Sequence, residues 1–440
     1  MLIANKATRI RLLDWKSPQM RAFHMSWIAF HLCFFGWFGI APLMAVVRED
    51  LSLDKSMIGS TIIASVAITV LVRTIIGPLC DKYGPRKTYT WLLILGSLPV
   101  MGIGLSNSFE TFLLARLAIG AIGASFVITQ YHTTVMFAPN VVGTANATTA
   151  GWGNLGGGTT QIVMPLIFTA IVSLGVSASL GWRLAMVVPG VILLLLGVAY
   201  SLLTQDAPQG NYDELRRTGV ISKDDDSSGW SSFHAAIKDY RVWALFVVYA
   251  GCFGVELTIN NIAAIYFFDE FHLSLETAGM IAGLFGLMNI FARTLGGVFS
   301  DRFARTAGLR GRVRFLFLCL LVEGIALVVF SQMHVLSTAI VMLVVFSLFV
   351  QMSEGATFGV VPFINRRALG GVAGMVGAGG NAGAVAAGFL FKTESLSYGE
   401  GLMVLGIAVM VCSVFAFAVR FDARVHEEED RALAEAMAER

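Results

Sequence analysis

The chain has 440 residues, of which 56% are hydrophobic and 14% charged, and a mean hydropathy of +0.73, values outside the range of soluble domains, so it reads as a polytopic membrane protein in a lipid bilayer. Its formal charge of +2 gives no support to a nucleic-acid partner, because the basic residues fall in short loops and form no long basic face. Cys33, Cys80, Cys252, Cys319 and Cys412 stand singly in apolar runs, without CxxC spacing or histidine pairs, which argues against a disulfide framework and against a metal site.

Along the chain, Lys6, Arg9, Arg11, Lys16 and Arg21 precede an apolar run too long for a cleaved signal, which is therefore the first span. Runs of spanning length are predicted at 22–47, 57–80, 88–106, 111–137, 145–174, 182–204, 241–268, 275–299, 314–331, 335–362, 371–394 and 399–420. A polar stretch with Asp206, Pro208, Gly210, Arg216, Arg217 and the run Asp224-Asp225-Asp226 divides them six and six. The predicted organisation is an N-terminal six-helix bundle (1–204), a linker (205–240), a C-terminal six-helix bundle (241–420) and a solvated tail (421–440). Of the 31 lysines and arginines, 24 fall in the termini and even-numbered connections and 4 in the odd-numbered ones, which assigns both termini and the linker to the cytoplasm. The expected fold class is all-α, with twelve transmembrane helices in two pseudo-symmetric bundles in the plasma membrane, working as a monomer.

The second and eighth spans repeat one pattern. Arg73-Thr-Ile-Ile-Gly77-Pro-Leu-Cys-Asp81 is answered by Arg293-Thr-Leu-Gly-Gly-Val-Phe-Ser-Asp301, each arginine eight residues before its aspartate. Eight helical residues are about 12 Å, so aspartates at the membrane surface put both arginines near mid-bilayer. Each such arginine costs roughly 2.5 to 3.5 kcal/mol on an insertion scale, and a bound anion is the reason that explains both positions together. A second repeat sets Gly153-Asn154-Leu-Gly156 in the fifth span against Gly380-Asn381-Ala-Gly383 in the eleventh. Two copies of one unit would gather the arginines and asparagines about a pseudo-twofold axis. On the seventh span Tyr249, Phe253, Glu256 and Asn260 share one stripe of a helix, too polar for lipid. His24, His31 and His132 form no metal-like cluster, and no cofactor motif or assembled nucleophile is present, so neither a cofactor nor an enzyme is expected.

Gly77-Pro-Leu-Cys-Asp81-Lys-Tyr-Gly-Pro-Arg86-Lys resembles the loop between the second and third helices of the major facilitator superfamily, and Arg116-Leu-Ala-Ile-Gly-Ala-Ile-Gly123 resembles its fourth-helix motif. Ala150-Gly-Trp-Gly-Asn154-Leu-Gly-Gly-Gly158 and Gly377-Ala-Gly-Gly-Asn381-Ala-Gly-Ala resemble the paired signature of the nitrate/nitrite porter family. Cys252-Phe-Gly-Val-Glu256-Leu-Thr and Glu354-Gly-Ala-Thr-Phe-Gly-Val-Val-Pro362 are similar to its proton-coupled, high-affinity branch. The resemblance covers all twelve spans and implies a nitrate or nitrite transporter that holds the anion between Arg73 and Arg293. It also implies that Asn154, Tyr249, Phe253 and Phe126 line the pocket, with an aromatic of the first span, Phe35 or Phe38; by the repeat, Asn381 is a further candidate. Gly77, Asp81, Arg86, Asp301 and Arg116 become structural or gating positions.

The chemistry is consistent with that. Nitrate is a flat monoanion, and a guanidinium is a flat, permanently charged fork with two parallel donors. For single aromatics the alternative is ordinary packing, and for the asparagines an interhelical hydrogen bond. The surrounding glycines are expected to serve close helix packing and sliding. Glu256, Glu323 and Glu354 are the acids well inside spans, equal in number to Arg73, Arg116 and Arg293. Static ion pairing is the expectation for Glu323 and Arg116, whereas for Glu256 and Glu354 pairing and proton coupling stay level. Proton symport is preferred; nitrate/nitrite exchange and a sensor without transport are the rivals.

Overall fold

A computed structural model describes residues 5–138, 141–219, 228–365 and 369–422; the acidic run 224–226 and the tail beyond 422 lie outside the described residues. Among the described residues, twelve helices are long and apolar enough to cross a membrane. They are α1 (Pro18–Asp50), α2 (Lys55–Gly77), α3 (Pro85–Leu105), α4 (Phe109–Met136), α5 (Thr144–Ser173), α6 (Ala178–Leu203), α7 (Tyr240–Phe271), α8 (Leu275–Ala304), α9 (Thr306–Ser331), α10 (Leu336–Val360), α11 (Gly371–Lys392) and α12 (Tyr398–Ala418). The predicted spans each find one of these helices. Among the described residues strand pairing is confined to two isolated bridges.

Local chemistry sets the helix starts. Ser17, Asp54, Ser177 and Ser274 each accept a hydrogen bond from the backbone N–H three residues on, and Ser108 and Ser397 open capping boxes with Thr111 and Glu400. Glycine is required at two junctions. Gly84, at φ +84°, ends the helix that continues α2, and a Cβ there would strike the Asp206 carboxylate. Gly308, at φ 57°, turns the chain inside the connection where α9 begins.

Two helices break near the residues of interest. α4 narrows to a 3-10 segment at Gly120–Ala124, and α8 does so at Met288–Ile290, just before Arg293. Such tightening redirects carbonyls that a regular α-helix would consume.

The chain packs as two compact units. The first comprises Met1–Gly229, Thr258–Ile290 and Phe391–Glu394; the second comprises Trp230–Leu257, Phe291–Leu390 and Ser395–Arg440. The units therefore do not follow the repeat boundary, because the later part of α7 and the start of α8 pack with the first unit. Arg48 of α1 holds Asp269 of α7 there through two hydrogen bonds of 2.7 and 2.9 Å. Glycine contacts bring helices to backbone distance in both units. In the first, a Cβ at Gly153 or Gly156 of α5 would run into the Phe30 ring or the His31 carbonyl of α1. In the second, Gly379, Gly380 and Gly383 of α11 lie against Phe246, Phe253 and Ala250 of α7 in the same way.

The beginning of the linker is folded onto the first unit. Asp206 is 1% exposed and accepts hydrogen bonds from the Arg86 N–H at 2.8 Å and the Tyr212 N–H at 3.0 Å. The short helix Tyr212–Arg217 buries Tyr212 and Leu215 against Val135 and Ala207, and Asp213 pairs with Lys87.

Candidate substrate site

Arg73 extends from α2 toward the broken part of α4. Its Nε and Nη2 donate to the Gly123 carbonyl at 3.4 and 3.2 Å, and its guanidinium lies 5.4 Å from the Phe126 ring centroid. The 3-10 segment makes this possible by turning out the carbonyls of Gly120 and Gly123, the former taking the Thr69 hydroxyl at 2.7 Å. Phe126 in turn meets Phe30, their centroids 5.7 Å apart. Phe30 is thus a first-span aromatic beside Phe126, while Phe38 packs on Phe34 and Trp37. Asn154 is 1% exposed on α5.

The second unit repeats this arrangement with different chemistry. Arg293, 6% exposed, donates from Nη1 to Glu354 Oε2 of α10 at 2.5 Å and from Nη2 to the Tyr249 hydroxyl of α7 at 3.1 Å. Helices two and four of the first half correspond to helices eight and ten of the second, so each arginine reaches for the same partner helix. In the first unit it finds a backbone carbonyl and a ring; in the second, a carboxylate. Tyr249 stacks on Phe253 at 5.2 Å and meets Phe358 edge-on at 5.3 Å. Glu256 lies beside Glu354, and both are fully buried, so two carboxyls share the neighbourhood of Arg293. Asn381 is fully buried on α11; its Nδ2 donates to the Gly377 carbonyl at 3.4 Å and its Oδ1 has no partner among the described residues.

Of the other predicted positions, Arg86 donates from Nη1 to the Ser201 carbonyl at 3.0 Å, besides its backbone bond to Asp206. A Cβ at Gly77 would meet open space. The side chains of Asp81 and Asp301 lie outside the described residues. Arg116 and Glu323 overturn the expectation of static ion pairing. Arg116 is 1% exposed and, among the described residues, donates to neutral acceptors alone, the Trp37 carbonyl at 3.3 Å and Asn261 Oδ1 at 2.6 Å. Glu323 is fully buried among Cys252, Cys319 and Ser353, and neither of its oxygens is hydrogen-bonded among the described residues. Equal numbers of acids and arginines in the sequence do not make pairs of them. The Tyr249–Arg293 bond and the Gly123 carbonyl went unread in the sequence, though the polar stripe of the seventh span already held Tyr249.

A family model described as Major Facilitator Superfamily matches residues 26–365 and 245–438. "High affinity nitrate transporter 2.5" of Arabidopsis thaliana is 43% identical over 411 residues, covering 93% of this chain and 81% of its own. "Nitrate/nitrite transporter NrtP" of Picosynechococcus sp. is 30% identical over 450 residues, covering 82% and 83% of the two chains. Among solved structures, a bacterial homolog of the human lysosomal transporter Spinster, inward-facing and unoccupied, superposes with a TM-score of 0.72 at 16% identity, over 94% of this chain and 98% of that one, a likeness of fold alone. With these matches spanning nearly its whole length, the chain belongs to the Major Facilitator Superfamily and, within it, to the nitrate/nitrite porter family.

Proposed function

We propose that the protein carries nitrate, and nitrite as a second substrate, across the plasma membrane by alternating access, as a nitrate/proton symporter in which Arg73 and Arg293 bind the anion. The names of the relatives support the substrate, and the repeated arginine supports the binding role. Asn154 and Asn381 add amide donors, while Tyr249, Phe253 and Phe126 supply aromatic walls that suit a flat, weakly hydrated ion.

The observation that carries the coupling is the bond from Arg293 to Glu354. An anion that needs the Arg293 fork competes with this carboxylate for the same donors. Protonation of Glu354 removes the competitor and frees the guanidinium, so proton and nitrate favour each other's binding. Glu256, next to Glu354, offers a second place for the proton. An interior-negative potential opposes inward movement of a lone anion by roughly 2.3 kcal/mol per 100 mV, so accumulation needs such a coupling.

The test is tracer nitrate flux into proteoliposomes that contain no internal nitrite, with and without an inward proton gradient. Gradient-driven accumulation is expected. Uptake only after nitrite is loaded inside would replace symport by exchange, with Arg293–Glu354 as a fixed structural pair. Saturable nitrate binding with no flux under either condition would leave a sensor.

A further inference from the structure

We propose that Arg116 is a second anion station, separate from Arg73, at which an incoming nitrate takes the place of the Asn261 side-chain carbonyl; this rests on the nitrate reading above. The reason is an uncompensated charge. Arg48, Arg183 and Arg293 each pair with a carboxylate. Arg116 is more deeply buried than Arg48 or Arg183, yet none of the described carboxylates pairs with it. Taking a guanidinium out of water is costly, and two neutral carbonyls supply dipoles but no counter-charge.

The open donors are on the useful edge. Nε and Nη2 form the side of a guanidinium that presents two parallel N–H groups to one anion. On Arg116, Nη2 holds Asn261 Oδ1 at 2.6 Å and Nε has no partner among the described residues. That edge is half filled by a neutral oxygen. Two oxygens of a nitrate or nitrite would fill it and bring the missing charge.

The surroundings are polar and equally unsatisfied. Asn260, the next residue on α7, is 2% exposed, with neither its amide nitrogen nor its oxygen partnered among the described residues. Its side chain faces Gly157 of α5, and Gln161 donates to its backbone carbonyl at 2.6 Å while leaving its own Oε1 unpartnered. Unpaired buried amides of this kind line a route for a polar solute better than they fill a core. Arg116 precedes Gly123, the acceptor of Arg73, by seven residues, which is about 10 Å along the helix. The distribution of lysine and arginine assigns that direction to the outside, so the station stands before Arg73 on the way in. An aspartate at 261 would pair with Arg116 permanently; an asparagine occupies the edge and can yield it.

The experiment counts labelled nitrate bound to the purified full-length protein at saturation, for the wild type, Arg116→Gln and Asn261→Asp. The wild type is expected to bind two ions per chain and each variant one. In proteoliposomes, the external KM for nitrate should rise about ten-fold in both variants, while the internal KM moves less than about two-fold. A gate without an anion site would leave the count unchanged, and this outcome, or one ion bound by the wild type and kept by Arg116→Gln, overturns the station. If Arg116→Gln fails to fold, Asn261→Asp, which removes no charge from the arginine, decides alone. No nitrate bound by the wild type at all would overturn the nitrate reading and the station with it, whereas one ion retained throughout overturns the station only.

Discussion

At the scale of single residues, the arginines and their partners determine what is testable. Arg293 offers Nη1 to a carboxylate and Nη2 to a phenol, a geometry that depends on a planar fork. Arg293→Lys keeps the charge and loses the fork; hydrogen bonds to a charged group are worth about 1.5 to 3 kcal/mol, so nitrate affinity should fall about ten- to a hundred-fold in equilibrium binding. An affinity near that of the wild type would remove Arg293 from the site. Glu354→Gln removes the competing charge while keeping the shape. Proton-driven accumulation should fall, nitrate counterflow should persist, and binding should lose the part of its pH dependence that Glu354 supplies, roughly tenfold per unit at most for each linked proton. The two arginines were legible in the sequence because a repeat displays them twice, but their partners were not: Glu354 lies 61 residues from Arg293 and the Gly123 carbonyl 50 from Arg73, and helical spacing is silent about neighbours across a helix interface. The contact of Phe30 with Phe126 was unreadable for the same reason, since Phe30, Phe34 and Phe38 all fall at helical spacing on the first span.

At the scale of elements, glycine decides how close helices come, and a buried aspartate decides how the linker sits. The glycine-asparagine segments were readable as packing surfaces, and α5 on α1 and α11 on α7 are what that reading requires. Which glycine touches backbone was not readable, because it depends on rotation of the helix. A Cβ at Gly156 would press on the His31 carbonyl, which has no rotamer to give way. Gly156→Ala should therefore cost about 1 to 3 kcal/mol by overpacking, seen as a lower Tm and slower transport, whereas Gly77→Ala, whose Cβ would meet open space, should change Tm little. The first part of the linker docks on the first unit, because Asp206 caps two backbone N–H groups that no spacing rule exposes. Burial lifts the Asp206 carboxyl above the ordinary carboxylate range, against the opposing pull of the Tyr212 and Arg86 N–H groups. With the docked value above the undocked one, the docked form binds the extra proton. Docking is thus stabilised below the ordinary carboxylate value and weakens as pH rises through the raised one. Amide exchange in residues 210–217 should accelerate over that window, and Asp206→Asn should remove the dependence; exchange that is flat with pH in the wild type would refute it.

At the scale of the whole molecule, the quantity to predict is the charge that moves with each nitrate. Twelve spans and the family were legible because hydropathy and signature motifs are written along the chain. Coupling is not written that way, since it depends on which buried charges neutralise one another. Arg293 is bonded to Glu354, and Glu256 lies beside that pair. Under the proposed symport, a nitrate that takes the Arg293 fork leaves the Glu354 carboxylate buried without its cation, which is costly enough for it to take up a proton instead. In the proposed symport, the same argument applied to both carboxyls near Arg293 would bring two protons with one nitrate and move one net positive charge inward per cycle. Uptake by the wild type should then be accelerated by an interior-negative potential, which supplies roughly 2.3 kcal/mol per 100 mV for that charge. Glu256→Gln should leave one proton per nitrate and make transport indifferent to the potential, while accumulation still follows the pH gradient. Clamping the potential with potassium and valinomycin at fixed pH gradient checks both: potential-independent uptake in the wild type would mean that a single carboxyl carries the coupling.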